Sequence, residues 1–279
     1  MSTERDSSEI ERPCVVIAGG ASGIGRATSL RLAAWAEVTN LDLVPPEPRG
    51  VADIVVDLRD DRAVGRVVAE LPHTISGLVY SAGLAGTDDA GEVMWVNVVA
   101  FVRLLRRILP RMVPGAAIVV LGSISTSRHG VADSDLRALL DSTSLERSRA
   151  WAQSHSVGPV QAYTLSKYLV DELTVELAAI LHPRQIRINC VKPGPVTTSL
   201  LPRFRESMGA KRIDTAEQVL GRHARADEIA AVIEFLLTES AAWVNGTRIQ
   251  VDGGLGASLR ARGGAIQLLD FNSFLIDQG

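Results

Sequence analysis

Two cysteines, five scattered histidines, 4% aromatic residues and no long apolar run set the first limits on this 279-residue chain. Cys14 and Cys190 each sit in an apolar segment, where a thiol behaves as a small hydrophobe; a disulfide framework is excluded and a cytoplasmic setting fits. The histidines form no His-x-x-x-His pair and have no cysteine cluster beside them, so no metal site is expected. No stretch approaches the ~18 uninterrupted apolar residues of a membrane span, and the charged N-terminus does not read as a secretory signal. An excess of basic charge is also missing: 29 Lys and Arg face 32 Asp and Glu, for a net charge of −3. Nucleic acid is therefore not an expected partner. What remains, 46% hydrophobic and 22% charged residues, describes a chain able to bury a large core.

The apolar segments alternate in kind. Short runs rich in Val and Ile at 14–18, 38–41, 54–56, 77–80, 116–121, 186–191 and 248–251 predict strands. Helical patterns at 26–35, 60–70, 91–112, 160–181 and 226–237 fall between them. Strands joined by helices require right-handed crossovers and a parallel sheet, so the expected fold is a doubly wound α/β sheet of seven strands with helices on both faces. Residues 1–12 are expected to be a polar tail, 13–256 the domain and 257–279 a C-terminal extension, while 199–225 reads as a loop.

The stretch Cys14 to Arg26 reads as a buried strand, a glycine turn and a helix start. Gly19, Gly20, Gly23 and Gly25 let the backbone turn sharply and approach a ligand closely, and free N–H groups at the helix start suit a pyrophosphate. Asp42 lies 17 residues beyond Gly25 at the end of the next strand, close to where a carboxylate meets adenosine ribose hydroxyls. No Arg or Lys adjoins it, since Leu43 and Val44 follow, and Ser22 adds no positive charge. The expected cofactor is therefore NAD rather than NADP. Tyr163 and Lys167 are four apart on the long helix and project from one face. A phenol is a poor base at its ordinary pKa near ~10, but an adjacent ammonium favours the phenolate.

Taken in order, Gly19-x-x-x-Gly23-x-Gly25, Asp57-Leu58, Ala82-Gly83, Asn97, Ser123, Tyr163-x-x-x-Lys167, Pro193-Gly194 and Val251-Asp252-Gly253-Gly254 resemble the short-chain dehydrogenase/reductase family over residues 13–256. The resemblance implies a Rossmann-type fold in which Tyr163 is the acid/base, Ser123 bonds the reacting oxygen, Lys167 holds the nicotinamide ribose and Asn97 supports a proton-relay water. It further implies a dinucleotide lying along Gly19, Ser22, Gly23, Ile24 and Gly25, beside Asp42, Asp57 and Leu58, against Ala82 and Gly83, and under Pro193, Gly194, Val196 and Thr198, with contacts to Tyr163 and Lys167. A homodimer or homotetramer is expected on the same ground. Departures are Ala18 for a usual threonine, Ser81 where Asn-Ala-Gly is usual, Gly122 for one serine of a pair, and Trp35 where a helix-ending glycine is expected.

Forty residues separate Ser123 from Tyr163, a long spacing for the family. The extra segment, within 124–160, carries helical patterns over Asp133 to His155 with Leu136, Leu139, Leu140, Leu145 and Trp151 as apolar positions. An insertion placed there is expected to pass over the crevice mouth and enclose substrate or contact another subunit. With Val79 to Gly83 and the Ala226 to Gly254 region, it resembles the branch containing bacterial 3α-hydroxysteroid and coniferyl-alcohol dehydrogenases. Tyr80 to Gly86 and Leu200 to Phe204 are apolar or small, so the expected substrate is a bulky hydrophobic alcohol, such as an aryl, terpenoid or steroid alcohol, or its carbonyl partner. The competing expectation is a dinucleotide-binding scaffold or redox sensor without turnover.

Overall fold

A computed structural model describes residues 12–45 and 52–262. The tail expected before Arg12, most of the proline run after Val44 and the extension beyond Arg262 lie outside the described residues. Strand β1 (Cys14–Ala18) is buried along its whole length and leads through the glycine turn into α1 (Gly23–Leu32), after which β2 (Glu37–Asp42) and β3 (Ala52–Val55) add to one side. Helix α2 (Asp61–Glu70) starts where Asp60 accepts from the Arg62 and Ala63 N–H groups, a capping pattern that satisfies two otherwise orphaned donors. Strand β4 (Ile75–Tyr80) follows.

The helix expected over 91–112 is broken in two and ends early. It consists of α3 (Ala90–Met94), a π-helical turn at Trp95–Val99, and α4 (Ala100–Ile108). Pro110 has no N–H with which to continue the ladder, so the chain passes through a short 3₁₀ turn into β5 (Met112–Leu121). Next come α5 (Asp133–Leu140), α6 (Leu145–Ser154) and the long α7 (Pro159–Leu181), which opens on a proline at its first turn. Strand β6 (Arg187–Pro193) leads to a small parallel pair, β7 (Val196–Thr197) with β8 (Ala224–Arg225), and between these two lie α8 (Leu201–Met208) and α9 (Ala210–Leu220). The expected loop at 199–225 is thus mostly helical; Ile213 and Ala216, spaced three apart on α9, are buried and account for the difference. Helix α10 (Ala226–Leu237), β9 (Arg248–Val251) and α11 (Leu255–Arg262) complete the described chain.

The main sheet has seven parallel strands in the order β3-β2-β1-β4-β5-β6-β9. Alternate residues of each strand face opposite sides, and two cores result. Val16, Leu78, Tyr80, Ile118 and Ile188 pack under α2, α4 and α7, whereas Val15, Ile17, Val79, Val119 and Val191 pack under α1 and α10. On α7, Leu169 and Leu173 are buried, whereas Ile180 near its end is exposed. The order reverses direction between β1 and β4, and a crevice opens beyond the carboxyl ends of the strands there.

The insertion does not enclose that crevice. Helices α5 and α6 bury Leu136, Leu139 and Trp151 in the core on the α7 face, and the Trp151 indole N–H donates to the Asp135 carbonyl at 2.8 Å. The Ser148 hydroxyl donates to the Gly91 carbonyl at 2.9 Å, and Arg149 pairs with both Asp89 and Glu92. These bonds hold the insertion against α3, and none of residues 133–155 lines the crevice. The segment folds back over α3, where its apolar face finds a partner. A Cβ at Gly91 would overlap the Arg149 backbone. We therefore expect Gly91→Ala to lower the free energy of urea unfolding by about 1–3 kcal/mol, the usual cost of overpacking a tight contact, with the insertion the first segment to lose protection in hydrogen exchange.

Candidate active site

The crevice has a volume of about 410 Å³ and is bounded by the ends of β1, β2, β4, β5 and β6 and by α7, α8 and α9. Its first wall is the glycine turn. Gly19 (φ +85°) and Gly23 (φ +53°) adopt backbone that favours glycine, and a Cβ at Gly25 would overlap the Gly19 carbonyl oxygen. Ser22 precedes α1 without capping it by its side chain, so among the described residues no side-chain cap covers the helix start beside Gly23 and Ile24 in the crevice wall. Thr198 lies opposite: a Cβ at Gly23 would come 3.3 Å from its methyl group.

Asp42 is fixed over this turn, its carboxylate accepting from the Ala21 N–H at 2.8 Å and the Leu43 N–H at 2.7 Å. Further along the same end, Asp57 is clasped by the Arg59 guanidinium at 2.9–3.0 Å. Burial pushes the Asp57 carboxyl up, but the hydrogen bonds and charge of Arg59 outweigh it and hold the group below its ordinary value. The substitutions at Ala18 and Ser81 leave the adjacent floor well ordered, because the Ala18 carbonyl accepts from both Ser81 N–H (2.8 Å) and Ala82 N–H (2.9 Å). Gly19 packs so closely on Ala82 that no side chain fits between them.

The opposite end gathers three of the residues expected to take part in the chemistry. Ser123, Tyr163 and Lys167 all line the crevice and are nearly buried. Ser123 Oγ accepts from the Ser125 N–H at 3.0 Å. Burial pushes the Tyr163 phenol above its ordinary value, and the Ser123 hydroxyl pulls the other way. Lys167 Nζ donates to the Leu121 carbonyl at 2.8 Å and lies 5.9 Å from the centre of the Tyr163 ring. Burial pushes its ammonium down to about 8, with Cys190 and Asp171 acting in the opposite direction. Asp171, one turn beyond Lys167 on α7, also pairs with Lys192 of β6. Cys190 is a buried thiol pushed up to about 12 by burial, consistent with a packing role.

Asn97 does not line the crevice; it stands behind the crevice floor in the π-helical turn. Its side-chain oxygen accepts from the Leu84 N–H at 2.7 Å, and its amide donates to the Leu84 carbonyl and to Ser166 Oγ, both at 3.1 Å. Asn97 thereby ties the segment after β4, at Leu84, to α7 at Ser166, between Tyr163 and Lys167. Of the other expected residues, Leu58, Pro193, Gly194 and Val196 line the crevice, while Gly25 lies beneath the turn. Residues beyond the motifs also line it: Ile124, Met208, Ile213, Ala216, Leu255 and Arg212. The α9 members were signalled by the helical spacing of Ile213 and Ala216 within the apparent loop.

This arrangement has close counterparts. The chain is 31% identical over 246 residues, 88% of its length and 96% of the relative's, to a coniferyl-alcohol dehydrogenase of Pseudomonas sp.. The chain belongs to the short-chain dehydrogenase/reductase family. A 3-alpha-hydroxysteroid dehydrogenase/carbonyl reductase of Comamonas testosteroni is likewise 31% identical over 257 residues, 88% of this chain and 97% of that one. A family model described as enoyl-(acyl carrier protein) reductase matches residues 142–256. Among solved structures, the 3-alpha-hydroxysteroid dehydrogenase from Pseudomonas sp. B-0831 complexed with NADH superposes with a TM-score of 0.72 at 29% identity, covering 89% of this chain and 99% of that one.

As a short-chain dehydrogenase/reductase, the protein is an oxidoreductase of a family that uses nicotinamide dinucleotides and small-molecule substrates. The residues present fit such a dinucleotide: a glycine cradle closed to side chains, a helix start without a side-chain cap, and a fixed carboxylate at the end of β2. Gly25→Ala would force the turn out of shape through the Gly19 carbonyl. Its expected effect is a loss of at least about fivefold in NADH affinity, measured by fluorescence titration, since even modest overpacking costs ~1 kcal/mol.

Proposed function

We propose that this short-chain dehydrogenase/reductase interconverts a bulky hydrophobic alcohol with its ketone or aldehyde, using NAD, with Tyr163 as the proton-transferring group. The observation that carries the reading is the convergence of Tyr163, Ser123 and Lys167 at one end of a single crevice whose other end is a dinucleotide cradle. When bound, the nicotinamide supplies the hydride acceptor for oxidation and the donor for reduction. In oxidation Tyr163 Oη takes the hydroxyl proton of the substrate, and in reduction it returns a proton to the carbonyl oxygen. Ser123 Oγ donates to that same oxygen and holds it beside Tyr163. The Lys167 ammonium favours the phenolate by its charge, and its bond to the Leu121 carbonyl fixes it beneath the tyrosine. Asn97 keeps the backbone at Leu84 and the helix at Ser166 in register behind these groups, a place suited to a proton-relay water.

The substrate class is argued from the wall. Ile124, Leu200, Leu201, Phe204 and Met208 border the crevice near Tyr163, and the Phe204 ring meets the Tyr163 ring edge-on with centroids 5.2 Å apart. An apolar wall rewards buried area at roughly 25 cal/mol per Å², whereas a sugar would need several fixed polar partners. Helix α8, which carries Phe204, is latched by Arg203 to Asp88 at 2.5 Å and to the Thr87 hydroxyl at 3.1 Å, so the wall is held against the end of β4. Both the coniferyl-alcohol and hydroxysteroid dehydrogenases named above act, by their names, on molecules of this size and polarity.

Cofactor choice is argued from Asp42. Its fixed carboxylate has lone pairs left for the ribose hydroxyls and repels a 2′-phosphate, and the nearest crevice arginine, Arg59, is already bound to Asp57 and Glu92. The kcat/KM for NAD is expected to exceed that for NADP by at least about tenfold; equal values would refute the assignment. Tyr163→Phe should retain NADH binding while lowering kcat by ~10²- to 10⁴-fold, the range for a lost general acid/base. The sign of the pH dependence follows from the phenol: oxidation needs the phenolate, whose pKa burial raises, so kcat for alcohol oxidation rises toward alkaline pH. Lys167→Met removes the charge that opposes this and should move the rising limb to higher pH, read from stopped-flow rates across pH 6–10.

A further inference from the structure

Two arginines line the crevice, and they differ in one respect. Arg59 is matched to the carboxylates of Asp57 and Glu92. Arg212, on α9, has no carboxylate within 4 Å among the described residues; its one side-chain bond runs from a guanidinium N–H to Ser125 Oγ at 3.2 Å. The nearby acid on its helix, Asp214, is paired with Arg205 instead. A guanidinium carries five donors and is always charged, so beyond the Ser125 hydroxyl the remaining donors of this exposed residue are left to solvent or to a ligand.

Its position says what would use those donors. Ser125 is buried, and its backbone N–H donates to the Ser123 hydroxyl at 3.0 Å. The guanidinium is therefore held at the substrate end of the crevice, beyond Ser123, among Met208, Ile213 and Ala216. The other charged groups of the crevice are Asp42, Asp57 and Arg59 at the adenosine end and Lys167 beneath Tyr163. An otherwise apolar pocket with one unmatched planar cation fits a ligand that is apolar along its length and anionic at one point. The fork of two parallel N–H groups matches a carboxylate.

We propose that Arg212 receives a carboxylate of the substrate, so that the preferred substrates are hydrophobic hydroxy acids and their oxo-acid partners rather than neutral alcohols. This rests on the crevice being a carbonyl and alcohol site, as argued above, and specifies its substrate. Ser125 is the neutral acceptor that Arg212 holds when no carboxylate is bound, and it keeps the guanidinium turned into the crevice.

The test compares each acid with its neutral twin. In reduction by NADH, the wild-type protein should favour 4-formylbenzoate and 6-formyl-2-naphthoate over their methyl esters by at least about tenfold in kcat/KM, the range for a charge-assisted hydrogen bond. Arg212→Gln should reduce the acids' kcat/KM at least tenfold more than the esters', mainly through KM, and Arg212→Lys should recover part of the difference. Preference for the esters by the wild type, or equal losses for acid and ester in the variant, would overturn the proposal. So would a loss that appears as weaker NADH binding, since the anion would then be a cofactor phosphate. Binding separates this inference from the oxidoreductase reading. If no carbonyl were turned over, the substrate class proposed above would fail, yet the anion site would stand if 2-naphthoate bound the protein–NADH complex more tightly than 2-naphthamide and Arg212→Gln removed the difference. Equal affinity of the two for the wild type would sink it. Arg212 is exposed on its helix, and far-ultraviolet circular dichroism of each variant verifies the fold.

Discussion

The structure depends on the seam between β1 and β4, where one carbonyl oxygen, that of Ala18, accepts from both Ser81 and Ala82 N–H groups. At this seam the chain reverses the direction in which it adds strands, and α1, with α10, covers one face while α2, α4 and α7 cover the other. The divergence opens a crevice, and the two hydrogen bonds to the Ala18 carbonyl give it a floor made of backbone. Because Gly19 touches Ala82 directly, the floor is thin enough for a ligand to lie across both strand ends. A threonine at position 18 and an asparagine at position 81 are not needed for this; backbone groups alone do it.

From that floor the reacting end is built by helix α7. Its face carries Tyr163, Lys167 and Asp171 at successive turns, and each has a different partner outside the helix: Ser123, the Leu121 carbonyl, and Lys192. Burying an ammonium is costly unless it is bonded, and here the strand-end carbonyl and the Asp171 charge offset part of that cost. Asn97 completes the brace from behind. The π-helical turn places one extra residue between α3 and α4, and its asparagine bonds backbone on one side and Ser166 on the other.

The insertion acts at a distance from this chemistry. Its Arg149 pairs with Glu92, which also faces Arg59, which clasps Asp57. A chain of alternating charges therefore runs from α6 across α3 to Asp57 in the crevice wall, so the segment that interrupts the family spacing is tied to that end of the crevice. That wall belongs to α8 and α9, held closed by Arg203 on Asp88.

Much of this was legible in the sequence, for reasons that are local. A glycine turn after a buried strand, an acidic residue at the next strand end and a tyrosine and lysine four apart on a helix each carry a spacing that the backbone geometry converts directly into position. The alternation of strand and helix was equally local, and with right-handed crossovers it led to the parallel sheet. Three features were decided only by tertiary packing. Ile213 and Ala216 made a helix of the apparent loop because the crevice gave their apolar face something to cover. The insertion settled on α3 because Gly91 admits the Arg149 backbone where a side chain would not. Arg212 reached Ser125, and Arg59 reached Glu92 in addition to its near neighbour Asp57, through contacts between residues far apart in the chain, and sequence spacing carries no information about which cation will be left without a carboxylate.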